Sequence, residues 1–164
     1  MDVSIVLPAY NEIESLAAVV DEAREVLRAT AIASAEILIV DDGSSDGTGA
    51  LADDLARRYP NVRAVHHERN QGFGGAMKTC FREARGDWVF LAAADGQIPI
   101  AMLPRLLALR ERAEVVVGVR ERRADASVRR FLSWGFHTAA RVLLAVPPRE
   151  FSSAFLFSGP LLRG

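Results

Sequence analysis

Five short segments concentrate the residue types that bind small molecules. They read Pro8-Ala9-Tyr10-Asn11-Glu12, Asp41-Asp42-Gly43-Ser44, Asn70-Gln71-Gly72-Phe73-Gly74-Gly75, Ala94-Asp95-Gly96-Gln97 and Arg120-Glu121-Arg122-Arg123. The glycines of the third segment let backbone approach a phosphate or a sugar closely, or simply form a loop leading into a helix. It is not a Walker loop. It runs on to Lys78-Thr79, but Met77 stands where a glycine must precede the lysine. Nor is it a dinucleotide fingerprint, which opens the first strand-to-helix turn, whereas Gly72 follows the third strand. His66 and His67 are adjacent in a strand, point to opposite faces and make no metal pair. Cys80, the only cysteine, lies on an apolar helix face, which excludes an internal disulfide and a cysteine-based zinc site.

The elements that must position these segments alternate. Val3–Leu7, Glu36–Val40, Val62–His66, Trp88–Ala92 and Glu114–Val119 read as strands. Apolar residues at helical spacing lie between them: Ile13 to Leu27, Leu51 to Ala56, Phe73 to Ala84, and Leu103 to Leu107. The fourth strand has no polar face, as expected where both faces of a sheet are covered. This alternation predicts an α/β sandwich with a mainly parallel central sheet flanked by helices. In such sheets ligands bind beyond the carboxyl ends of the strands, and the five segments all follow strands.

Composition sets the outer limits. The chain has 164 residues, 50% apolar and 25% charged, with a formal net charge of −1. One domain over residues 1–164 is expected, with no bulk positive charge to hold nucleic acid. Residues 1–82 carry 13 acidic and 8 basic groups; residues 83–164 carry 8 acidic and 12 basic. The first residues lack the pattern of a secretory leader. The longest uncharged run, Phe151–Leu162, is 12 residues, short of the roughly 18 a membrane helix needs. A cytoplasmic location is expected. Trp134, Phe136 and Leu143-Leu144 suggest an apolar helix face for core or homodimer packing.

Four of these segments, in this order and spacing, resemble family 2 glycosyltransferases of GT-A fold. They are Ser4 to Glu12, Ile39 to Thr48, Asn70 to Ala76, and Ala93 to Gln97. The resemblance runs from residue 3 to about residue 157 and lies nearest the polyprenyl (dolichyl) phosphate sugar synthase branch, through Val117 to Arg120, Arg129-Arg130 and Arg149 to Phe151. It implies transfer of a sugar from a UDP- or GDP-sugar, with inversion, to a polyprenyl phosphate or related glycan acceptor. It also implies peripheral contact with the inner membrane face.

Residue roles follow from the same resemblance. Pro8, Tyr10, Glu12 and Asp41 would hold base and ribose, while Asp42 and Asp46 read as turn and helix-capping residues. Gly72 and Gly74 would lie near the nucleotide. Asp95, with Gln97, would hold a weakly bound Mg2+ or Mn2+. Arg120, Arg129 and Arg130 would face the phosphates, and Glu150 is the only candidate catalytic carboxylate of its segment. Two departures stand out. Ala93 replaces the first carboxylate of the Asp-x-Asp motif, and the chain stops at Gly164, where an acceptor region usually continues, so a minimal or missing acceptor end is expected. Both favour an alternative: a weak or inactive nucleotide-sugar-binding module that regulates or partners another transferase.

Overall fold

Six strands form one sheet in the order β3-β2-β1-β4-β6-β5. They are β1 (Val3–Ala9), β2 (Ala35–Asp41), β3 (Val62–His66), β4 (Trp88–Leu91), β5 (Val115–Gly118) and β6 (Ala154–Ser158). The computed structural model describes residues 1–30, 32, 34–118 and 154–163. Those residues belong to one compact unit, which leaves the chain at Gly118 and resumes at Ala154. Arg120, Arg122, Arg123, Arg129, Arg130, Trp134, Phe136, Leu143, Leu144 and Glu150 lie outside the described residues.

The helices are α1 (Leu16–Ala29), α2 (Thr48–Arg58), α3 (Gly72–Glu83), α4 (Leu103–Leu107) and α5 (Gly159–Arg163). Strands β1 to β4 pair in parallel. The connections β1–α1–β2 and β2–α2–β3 step the same way along the sheet. The connection through α3 steps back past β1 to β4. Right-handed crossovers therefore put α1 and α2 on one face and α3 on the other. The core shows this division. Ile5, Leu7, Ile37 and Ile39 pack with Leu16, Ala52, Leu55 and Leu103 on one side, and Val6, Leu38 and Val40 pack with Ala76 and Cys80 on the other.

The sheet holds one strand more than the sequence reading expects. That reading expects five strands and takes the uncharged run Phe151–Leu162 only as too short for a membrane helix. Ala154–Ser158 within that run instead form β6, the strand next to the sheet edge, antiparallel to both β4 and β5. Ala154 and Leu156 join the α1 side of the core, while Phe155 and Phe157 face the α3 side. Phe81 meets Phe157 edge-on at 5.2 Å between ring centroids. An uncharged run that buries both faces carries no amphipathic signal, so its period alone does not declare a strand.

Candidate functional site

The reversal of strand order between β1 and β4 is a switch point, where the loops after neighbouring parallel strands diverge and leave a crevice. A cavity of about 270 Å³ opens there. Pro8, Tyr10 and Glu12 line it from the β1 side, and Ala93, Ala94 and Asp95 from the β4 side. Asp42 closes it from the end of β2, and Asn70, Gly72, Phe73 and Ala76 from the loop after β3 and the start of α3. Two larger clefts, of about 760 and 540 Å³, lie at the opposite edge where the strands begin, around Asp2 and Trp88 and around Arg24 and Asn61. None of the four described segments lines them.

The first two loops clamp each other. Asn11 N–H donates to Ser44 Oγ at 2.9 Å, and Ser45 N–H donates back to Asn11 Oδ1 at 2.9 Å. Asn11 has φ 56°, a left-handed conformation that asparagine tolerates better than most residues. Glu12 N–H donates to Thr48 Oγ1 at 2.8 Å, and Ser15 Oγ donates to Glu12 Oε2 at 2.6 Å. Asp46 accepts from Thr48 N–H at 2.9 Å, from its hydroxyl at 2.6 Å and from Ile13 N–H at 3.2 Å. The Thr48 hydroxyl is the main cause holding the Asp46 carboxyl below its ordinary pKa. The capping position itself is taken by Gly47, with φ 102°.

The two adjacent carboxylates face opposite ways. Asp41 continues the Ile37–Ile39 face, away from the cavity lining. Its Oδ2 bonds His66 Nδ1 at 3.1 Å, and the other ring nitrogen of His66 bonds Asp53 Oδ1 at 3.0 Å. Burial of the ring is the largest single influence and opposes protonation. The bonds to Asp41 and Asp53 together outweigh it and raise the His66 pKa above 6.5. Asp42 continues the Leu38–Val40 face and is the carboxylate that lines the cavity. Its Oδ1 accepts from His67 Nδ1 at 2.6 Å and from Gln71 N–H at 2.9 Å. The two histidines do point to opposite faces, as their adjacency in a strand requires.

Pro8, Tyr10, Glu12, Gly72 and Asp95 thus converge as the sequence suggests, while Asp41, Gly74 and Gln97 are not among the lining residues. The sequence reading takes Asp42 as a turn residue and gives Asn70, Phe73 and Ala76 no individual role, although their segment is among those it singles out. The period of two separates Asp41 from Asp42, but only the position of α3 says which of them reaches the cavity. Tyr10 is 48% and Phe73 63% exposed, so two aromatic rings stand at the mouth, available to cover an aromatic or sugar face. Gly72 N–H is already bonded to Asn70 Oδ1 at 2.8 Å.

The resemblance implies a divalent ion. Ala93 contributes no donor, and among the described residues no group of three or more histidine, cysteine or acidic side chains could hold an ion. Asp95 is exposed at the cavity wall, with Oδ1 accepting Gln97 N–H at 3.0 Å. That donor set fits an ion held by one carboxylate and completed by substrate phosphates and water, a common arrangement for Mg2+.

Comparison with known proteins places this geometry. A family model described as "Glycosyl transferase family 2" matches residues 4–158. Undecaprenyl-phosphate mannosyltransferase of Micrococcus luteus is 32% identical over 163 residues, covering 94% of this chain and 65% of that protein. Undecaprenyl-phosphate 4-deoxy-4-formamido-L-arabinose transferase of Pseudomonas fluorescens is 41% identical over 142 residues, covering 80% of this chain and 39% of that protein. The chain therefore spans under two thirds of the length of these relatives. Among solved structures, a mannosyltransferase from Pyrobaculum calidifontis in complex with GDP-Man and Mn2+ superposes with a TM-score of 0.69 at 23% identity, covering 98% of this chain and 45% of that one. Glucosyl-3-phosphoglycerate synthase from Mycobacterium tuberculosis, with Mn2+, UDP and phosphoglyceric acid, gives 0.69 at 21% identity, covering 98% and 56%.

Proposed function

We propose, on the footing that the chain belongs to glycosyl transferase family 2 and has the GT-A fold, that the switch-point cavity holds the nucleotide of a UDP- or GDP-sugar whose sugar passes, with inversion, to a polyprenyl phosphate. The observation that carries this reading is the convergence of Tyr10, Glu12, Asp42 and Asp95 on one cavity at the carboxyl edge of β1, β2 and β4. The names of the two bacterial relatives, transferases for undecaprenyl phosphate, support the acceptor class.

The chain's own groups have distinct tasks. Asp42 accepts a hydrogen bond from the base, Tyr10 covers its face and Glu12 takes a ribose hydroxyl. The first turn of α3, with Gly72 and Gly74, lies beside the diphosphate. Arg120, Arg129 and Arg130 neutralise the charge that grows on the diphosphate as it leaves. A divalent ion on Asp95 would add to that neutralisation. A phosphate acceptor is already an anion, so its oxygen can attack the anomeric carbon opposite the diphosphate without a base. A hydroxyl acceptor would need one, and Glu150 is the candidate. Such an acceptor brings the protein to the inner membrane face as a peripheral visitor. Among the described residues no helix is long and apolar enough to cross a membrane.

Ala93 on the cavity wall favours a second reading: a module that binds nucleotide sugar but transfers slowly or not at all. Incubating purified protein with polyprenyl phosphate and labelled UDP- or GDP-sugar separates the two. Labelled lipid supports the transferase. Tight nucleotide binding without lipid product supports the module, and absence of any nucleotide binding refutes both.

A further inference from the structure

The two oxygens of Asp42 are not equivalent, and their difference bears on which nucleotide the proposed donor site accepts. The Asp42 side chain is 3% exposed and that of His67 is 7% exposed. Asp42 Oδ1 accepts from His67 Nδ1 at 2.6 Å and from Gln71 N–H at 2.9 Å. Among the described residues no donor is bonded to Oδ2. His67 is held at its far end as well, with Nε2 2.9 Å from Thr79 Oγ1 inside α3. The Asp42 partner fixes the direction of one of these bonds. A carboxylate oxygen that already takes the Gln71 N–H is an acceptor, so the hydrogen of the His67–Asp42 bond sits on Nδ1.

This chain of bonds fixes the carboxylate. Turning Oδ1 toward the cavity would strand a backbone N–H and an imidazole N–H in a buried place, which is costly. Asp42 therefore presents one oxygen, Oδ2, to whatever enters. A uracil ring offers one N–H between two carbonyls and needs one acceptor. The pairing edge of guanine offers a ring N–H and an amino group side by side, a pattern that suits both oxygens of a carboxylate. With Oδ1 committed, the guanine edge leaves one donor unmatched.

We infer that His67 is a positioning residue that, by holding Asp42 through a single oxygen, makes the base site select a uridine over a guanosine diphosphate sugar. The inference rests on the donor-site reading above and adds to it the class of donor.

Calorimetric titration of the whole chain with UDP and with GDP, both with Mn2+, tests it. UDP is expected to bind at least about tenfold more tightly, the size of effect one unmatched buried donor produces. His67→Asn puts an amide nitrogen at the Nδ1 position and should keep the preference. His67→Gln loses that donor and should narrow the preference toward unity, with the melting temperature reporting any separate effect on folding. Thr79→Val, which frees the far end of the ring, should narrow it less and serves if His67→Gln does not fold. GDP binding as tightly as UDP to the native chain overturns the inference and leaves the donor-site reading standing. So does a His67→Gln variant that melts lower yet keeps the native preference. If neither nucleotide binds, the site reading itself falls and takes the inference with it.

Discussion

Asp41 Oδ2 lies 3.1 Å from His66 Nδ1 on one face of the sheet, while Asp42 Oδ1 lies 2.6 Å from His67 Nδ1 on the other. Two consecutive carboxylates meet two consecutive histidines across β2 and β3, and each pair serves a different face. The Asp42 pair borders the cavity. The Asp41 pair ties β2 to β3 and, through Asp53, to α2.

The Asp41 pair gives the fold a pH dependence. His66 has a folded-state pKa above its ordinary 6.5, so its protonation stabilises the native state. That contribution is complete below about pH 6.5, the unfolded value, and is lost as pH rises through the folded value. The melting temperature should therefore fall over that interval, and His66→Gln should flatten this part of the profile. A native profile that rises across the interval would contradict the assignment.

The Asp42 pair should decide nucleotide binding. Asp42→Ala removes the base acceptor, and nucleotide affinity should fall by roughly 1–3 kcal/mol. Asp41→Ala should lower the melting temperature and leave affinity nearly unchanged. Isothermal titration of both variants beside the native chain distinguishes the carboxylates, and a larger affinity loss in Asp41→Ala would reverse their roles.

Metal dependence should be present but weak. One carboxylate and a diphosphate can still hold a divalent ion, so nucleotide binding should tighten with Mn2+ in the native chain. Ala93→Asp should lower the Mn2+ concentration needed, and Asp95→Ala should abolish the effect. Nucleotide titrations over a series of Mn2+ concentrations read this directly, without requiring turnover.

Gly43 lies where β2 gives way to the cavity loop. Its φ is 69°, and an added Cβ would lie 2.6 Å from the Arg69 carbonyl carbon. Gly43→Ala should cost roughly 1–3 kcal/mol from strain at a positive φ and displace the loop that carries Asn70. Chemical denaturation measures the first effect; weakened nucleotide binding reports the second.

Cys80 is fully buried against the α3 side of the sheet, and burial pushes its thiol up to about 12. A thiol-reactive dye at pH 8 should label it only under unfolding conditions, because the thiolate is the reactive form. Fast labelling of the native protein would show that α3 opens readily, and with it one wall of the cavity.

Much of this was written in the chain itself. The strand-and-helix periods fixed the α/β sandwich, and the placement of Pro8, Tyr10, Glu12, Gly72 and Asp95 after strands put them at one sheet edge, because parallel strands bring their following loops together. Adjacency alone required His66 and His67 to diverge. What one-dimensional pattern could not decide was the side. The period of two separates Asp41 from Asp42 but does not say which shares a face with α3. Only the return crossover to β4, which carries α3 to the far face, makes Asp42 the cavity carboxylate and turns Asp41 toward α2. The same holds for β6. Ala154–Ser158 is uncharged because both its faces are covered, and that covering exists only once pairing with β4 and β5 sets it between α4 on one face and α3 on the other. Pairing between strands distant in the sequence is a property of the assembled sheet, and it decided there what local pattern left open.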